Sequence, residues 1–165
     1  SERSRGLGDV YKRQGEKMTQ LKSFSKRVEL AGVRLLSESE KRVRRSIRKT
    51  CVDIINDTPV DTGRLINNWY SSNRQPIMRT TKATDRSGKI SIARLDKVLA
   101  KFKLKQIFYF VNNLPYVNVV EFGGYPNPPK NPTGKTINGF SRLAPKGMVR
   151  INMQKMRRRL KERAV

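Results

Sequence analysis

The stretch Thr58-Pro59-Val60-Asp61-Thr62-Gly63-Arg64-Leu65 holds the tripeptide Asp-Thr-Gly, which carries the catalytic carboxylate in aspartic proteases. That chemistry needs two aspartates sharing one proton, each in a loop between apolar strands. Here the triplet follows a long helical pattern through Pro59, the next residue is Arg64, and no second Asp-Thr-Gly exists. A cation beside the pair would hold both carboxylates ionised, so the triplet reads better as a turn. Asp61 can hydrogen-bond backbone two residues on, and Gly63 supplies a positive φ.

Two other constellations suggest chemistry. Asp53 and Asp57 lie one helical turn apart and Asp61 follows, but Pro59 breaks the geometry before the third carboxylate. Pairing with nearby cations is the better reading, so no metal is expected. Asn131-Pro132-Thr133-Gly134-Lys135-Thr136 resembles the end of a phosphate-binding loop. That loop needs glycine at 129, where this chain has proline, and an apolar strand before it, which is missing. The chain contains no histidine, which removes Ser-His and Cys-His nucleophile pairs and the commonest general base. Neither a catalytic set nor a cofactor is expected, and the chain reads as a non-enzyme.

The 165 residues suffice for one domain with a modest core. Lys and Arg number 37 against 13 acids, a formal charge of +24, which favours polyanions or acidic proteins as partners. No apolar run approaches the roughly 18–20 residues of a membrane span, and no membrane partner is expected. Cys51 is the one cysteine and lies on an apolar helix face, which suits a buried thiol. Residues 1–14, ending in Asp-Val-Tyr-Lys-Arg-Gln, match codon by codon a translated transposase end sequence used in sequencing-library preparation. They read as a disordered scar, with residues 15–165 as the single domain and Met18 as a plausible native start.

The elements that must position these residues follow from periodicity. From about residue 20 to Asn56, Val28, Gly32, Leu35, Leu36, Ser39, Val43, Ile47, Cys51, Ile54 and Ile55 recur at steps of three and four, which predicts a helix ended by Thr58-Pro59. Its other faces carry Lys41, Arg42, Arg44, Arg45, Arg48 and Lys49. "RLINNWYSS" predicts a strand, residues 73–89 a loop or extended hairpin, and "SIARLDKVLAKFK" a second amphipathic helix. "KQIFYFVNN" predicts the best strand. Pro115 opens a short helix that Gly123 or Gly124 closes, residues 125–145 form a loop, and "GMVRINM" a last strand. A basic helix or tail at 154–165 carries Lys155, Arg157, Arg158, Arg159, Lys161 and Arg163. The expected class is α+β: a long N-terminal helix on a small, mostly antiparallel sheet, with a second amphipathic helix and a basic C-terminal helix.

Three blocks stand in a fixed order: Pro-Val-Asp-Thr-Gly-Arg (59–64) with Trp69; Asn-Asn-Leu-Pro-Tyr (112–116) with Glu121 and Gly123; and Ala-Pro-Lys-Gly-Met-Val-Arg (144–150). Over residues 20–152 they resemble a family of tailed-phage virion proteins, the minor tail or neck proteins that include the lambda-type tail-completion protein and its head–tail joining relatives. The Asn-Pro-rich insert at 125–139 departs from that family. The resemblance implies a non-enzymatic virion component, assembled in the host bacterial cytoplasm as a ring or docked on one where tail meets head. Its partners would be other tail and connector proteins, and packaged DNA could touch it. Asp61, Gly63, Arg64, Trp69, Pro115, Tyr116, Glu121, Gly123, Pro145, Gly147 and Arg150 then read as structural or interface groups. Arg64 or Arg150 is expected to pair with Asp61 or Glu121, within the chain or across a subunit contact. The alternative is a non-specific nucleic-acid-binding protein. It would use Lys41, Arg42, Arg44, Arg45, Arg48, Lys49, Arg157, Arg158, Arg159 and Lys161 against phosphates. Trp69, Tyr70 and the Phe108-Tyr109-Phe110 run could stack on bases, though a hydrophobic core is their commoner use.

Overall fold

A computed structural model describes the backbone of residues 2–162, with side chains from Gly15 to Glu162. The scar expected at 1–14 lies outside the residues whose side chains are described. The architecture is α+β, with a long N-terminal helix, two small antiparallel sheets and a C-terminal helix. In chain order the elements are α1 (Glu2–Asn56), α2 (Arg64–Asn67), β1 (Tyr70–Ser72), α3 (Lys89–Leu99), β2 (Tyr109–Val111), α4 (Val117–Phe122), β3 (Thr136–Ile137), β4 (Phe140–Ser141) and α5 (Val149–Glu162). Among the described residues no helix is long and apolar enough to cross a membrane.

The chain divides into two units, at Arg42/Val43. In the first, every side chain from Gly15 to Glu38 is exposed, so the upstream half of the apolar stripe, Val28, Leu35 and Leu36, has no cover within its unit. The second unit has a core because several elements bring apolar faces together. Cys51, Leu95, Leu99 and Phe102 are buried together with Val43 and Ile47 packed on them, so α3 lies on the downstream part of α1. Ile54, Ile55, Leu65, Ile66, Trp69, Leu114, Val120, Ala144 and Met148 form the other cluster. Burial pushes the Cys51 thiol up to about 12, which keeps it protonated and inert.

Three sequence expectations are corrected. The "RLINNWYSS" segment is strand only at Tyr70–Ser72, paired antiparallel with β2 so that Ser71 faces Phe110. Its first part is the helical turn α2, because Gly63 at φ 90° starts the turn and the Asn68 amide donates to the Arg64 carbonyl at 2.7 Å. Leu65, Ile66 and Trp69 are buried on all sides there, and an alternating strand could not bury them so. "GMVRINM" is not a strand: Val149 begins α5, for a reason given below. The 125–145 loop contains the hairpin β3–β4, turned at Asn138 (φ 50°) and Gly139 (φ 79°), both of which suit a tight two-residue hairpin turn.

Between β1 and α3, residues 73–88 form neither helix nor strand, yet their path is tied down. Asn68 accepts from the Thr81 N–H at 2.7 Å and donates to its carbonyl at 3.0 Å. The Asn67 amide reaches the Ala83 carbonyl, Arg64 the Thr81 carbonyl, and Asn113 the Ile77 carbonyl. These amides replace the ladder partners a strand would have had.

Candidate functional site

The Asp-Thr-Gly turn is shaped by what crosses it. The Asp85 N–H donates to the Gly63 carbonyl at 3.1 Å, and a Cβ on Gly63 would stand 2.7 Å from the Arg86 nitrogen. Glycine is required twice over, for its left-handed φ and for the backbone lying against it. Gly63→Ala is expected to lower stability by about 1–3 kcal/mol, read as a fall in the urea midpoint at constant slope. An unshifted midpoint would mean that residues 85–86 move aside without cost.

Asp61 points to solvent and pairs with Lys135 at 2.9 Å. The Lys135 ammonium holds its carboxyl below the usual range, first by the hydrogen bond and then by its charge. Asp61 and Arg64 do not pair. An open groove of 660 Å³ runs beside the turn, with Arg64, Leu65, Tyr116, Tyr125, Lys135 and Leu143 along it. Asp61 is the one carboxylate among its lining residues, and it is already ionised against a cation, so the proton-sharing dyad of a protease is not assembled here. The three aspartates of the metal reading go to separate partners. Asp53 meets Lys49 and Arg159, Asp57 meets Asn152 and Lys155, and Asp61 meets Lys135. Asp61→Asn is expected to leave the thermal unfolding transition in place at pH 7, because an exposed ion pair in water adds little. A fall as large as that of Gly63→Ala would contradict this.

The second and third sequence blocks meet at Glu121, which is buried at the end of α4. Its carboxylate accepts the backbone N–H groups of Met148 (2.7 Å), Val149 (2.8 Å) and Arg150 (2.9 Å), and Arg150 Nε–H at 3.1 Å. Arg150 Nη2 also donates to the Glu121 carbonyl at 2.6 Å, and its guanidinium lies over the Phe122 ring. The first N–H groups of a helix have no partner within it, and the helix dipole favours a negative charge there. Glu121 therefore caps α5 from 28 residues upstream, and that is why "GMVRINM" starts a helix. Gly147 permits the approach, since a Cβ on it would come within 2.6 Å of the Glu121 carbonyl oxygen. Gly123, at φ 83°, ends α4 with the Phe140 ring against it. Pro115 and Tyr116 precede α4 and are exposed, as are Pro145 and Lys146.

The first block joins the same junction through Trp69, which binds Thr58, the residue just before that block. The Thr58 hydroxyl donates to the Ile54 carbonyl at 2.7 Å and accepts the Trp69 indole N–H at 2.9 Å, with Met148 Sδ at 3.4 Å. With one proton available, the shorter bond to Ile54 takes it, and the sulfur is a packing neighbour. The Trp69 ring stacks on Phe110 at 4.7 Å and 6°. Thr58, whose place before proline suggested only a helix stop, is thus a hub. Nothing local in the sequence marks it, because its partners lie 11 and 90 residues away.

The expected cationic contacts divide into two groups. Arg44 donates through Nε and Nη2 to the Phe102 carbonyl, Arg48 grips Asp96 with two parallel bonds at 2.7 and 3.0 Å, and Lys49 meets Asp53. Arg159 reaches Asp53 and the Thr50 hydroxyl, and Lys41 pairs with Glu38 at 3.1 Å. These five are engaged within the chain. Arg42, Arg157, Arg158 and Lys161 are exposed, as is Arg45, which also has an interaction within the chain. Trp69 and Tyr70 are buried and Phe108 and Phe110 half-buried, so Trp69 and Tyr70 offer no open face for bases. Tyr70 is covered by the guanidinium groups of Arg79 and Arg94 at 5.0 and 4.7 Å.

No protein-family model, no curated protein and no solved structure matches the chain.

Proposed function

We propose that the chain is a structural component of a tailed-phage virion, acting in tail completion or head–tail joining at the neck. The observation that carries this reading is the junction at α5. The three ordered blocks that resemble the minor tail and neck proteins are the ones whose side chains interlock. Trp69 comes from the first, Glu121 from the second, and Met148 and Arg150 from the third, with Thr58, the residue just before the first block, joining Trp69 to Met148. Gly63 of the Asp-Thr-Gly triplet that suggested catalysis starts the turn into α2, which fits a structural role. In this reading the protein assembles in the host cytoplasm, takes its place in the virion as part of a ring, and meets other tail and connector proteins. Electron microscopy of virions lacking the protein tests it: heads and tails left unjoined are expected. Normally joined, infectious particles would overturn it.

One observation favours a second reading, non-specific nucleic-acid binding. Arg157, Arg158 and Lys161 are exposed on α5 of a chain with a formal charge of +24. The internal engagement of Arg44, Arg48 and Arg159 reduces the cations available for it. Duplex binding by the isolated chain, with a salt slope of about 0.9 per phosphate neutralised, would support this second reading.

A further inference from the structure

The upstream part of α1 raises a question of its own. Between Gly15 and Glu38 every side chain is exposed, and Leu21, Phe24, Val28, Leu35 and Leu36 each leave more than half their surface open. A contiguous apolar surface of this kind marks an interaction site, and a helix with no packed face is marginal in water on its own. Leu21, Phe24, Val28, Ala31 and Leu35 follow one another at steps of three, four, three and four, the spacing of a coiled-coil seam.

Charge decides what covers the seam. Residues 15–40 hold five cations and four carboxylates, a net +1 in a chain of +24, so like-charge repulsion opposes contact between two copies here far less than over the chain as a whole. The flanking positions also select a direction. In a parallel, in-register pair, Arg27 and Arg34 face Gly32 and Ser39 of the neighbour, small residues that leave room for the arginine stems. In the antiparallel pair that sets Val28 against Ala31, Arg27 faces Arg34, and the like charges meet twice by symmetry. Leu30, Val33 and Leu36 are also exposed, on the opposite side of the helix, away from this seam.

We infer that copies of this chain associate through residues 18–36 of α1 as a parallel, in-register coiled coil along the Leu21–Leu35 seam. The inference gives the proposed ring a contact surface but stands on α1 alone. Sedimentation of the purified chain and microscopy of deletion virions can therefore fail independently.

The test is sedimentation equilibrium of the full chain at micromolar concentration in about 0.15 M and about 0.5 M salt, where exposed charges are progressively screened. An assembly of two or more copies, retained at the higher salt, is expected. Leu21→Glu with Val28→Glu should shift it to monomer while the near-ultraviolet signal of buried Trp69 is unchanged, showing that the second unit stays folded. On mild oxidation, Val28→Cys should form a disulfide to the same position of a second copy, with the wild type and its buried Cys51 as control. A wild-type monomer at all concentrations would overturn the inference, as would a monomer that instead binds anionic vesicles. Cross-linking of Val28→Cys to Ala31→Cys in mixed samples, without Val28→Cys self-linkage, would overturn the parallel arrangement.

Discussion

Glu121→Ala is expected to destabilise the second unit by about 2–4 kcal/mol, mainly the cost of leaving buried and half-buried N–H donors without an acceptor. At ordinary unfolding entropies that is a fall in melting temperature of roughly 10 °C. The cost has two sources. Three backbone N–H groups at the start of α5 lose their acceptor while staying buried or half-buried, and Arg150 loses its carboxylate. Glu121→Gln separates charge from shape, since it keeps the volume but presents an amide to donors that need an acceptor. The wild type should also lose stability in acid. Burial pushes the Glu121 carboxyl upward, but the N–H groups of Val149, Arg150 and Met148, with the Arg150 guanidinium, outweigh it and hold the group below its ordinary value. A depressed carboxyl contributes its full stabilisation above the unfolded value of about 4.3, and that contribution is lost as pH falls through the folded value. Urea midpoints of wild type and Glu121→Gln should therefore converge below about pH 4. A constant gap between them across that range would refute the cap.

Trp69→Ala is the second large effect, about 3–5 kcal/mol for a buried indole. It removes the stack on Phe110, empties volume between α1, α4 and the 144–148 turn, and leaves the Thr58 oxygen without its donor. Trp69→Phe keeps much of the stack but orphans Thr58 and should cost less, about 1–3 kcal/mol. Far-ultraviolet circular dichroism in urea is the suitable measurement, because Trp69 is the one tryptophan and its own fluorescence disappears with it. Equal losses for the two variants would place the energy in the hydrogen bond and not in ring burial.

How much of this was legible depended on where each residue's partner sits along the chain. The helical periodicity of α1 and α3 was legible, because steps of three and four fix a face without knowledge of what covers it. The α+β class followed from those helices and the aromatic run around Tyr109. The start of α5 was not. Val149, Ile151 and Met153 alternate like a strand, and the carboxylate that turns them into a helix lies 28 residues upstream. "RLINNW" failed for a related reason: Asn67 and Asn68 spend their amides on the 81–83 backbone, which local propensity cannot anticipate. The Asn138-Gly139 turn carries a hairpin signal of its own, masked by the Pro-rich stretch around it. At the candidate site, the pairing of Arg150 with Glu121 could be expected from charge and block order. The engagement of Arg48 by Asp96 could not, since a basic helix face looks the same whether or not a carboxylate comes to meet it.

The amides that hold residues 73–88 have a consequence for how this surface can change. They grip backbone carbonyls and N–H groups, so the path of the segment depends little on which side chains it carries. Arg74, Gln75, Met78, Lys82 and Thr84 face outward from a track fixed by Asn67, Asn68 and Asn113. Natural variation or a designer can rewrite those letters and keep the track. Exceptions that should resist are Arg79, held against Tyr70; Asp85, whose carboxylate accepts the Ser87 and Ile90 N–H groups; and Gly88, packed against Ile55.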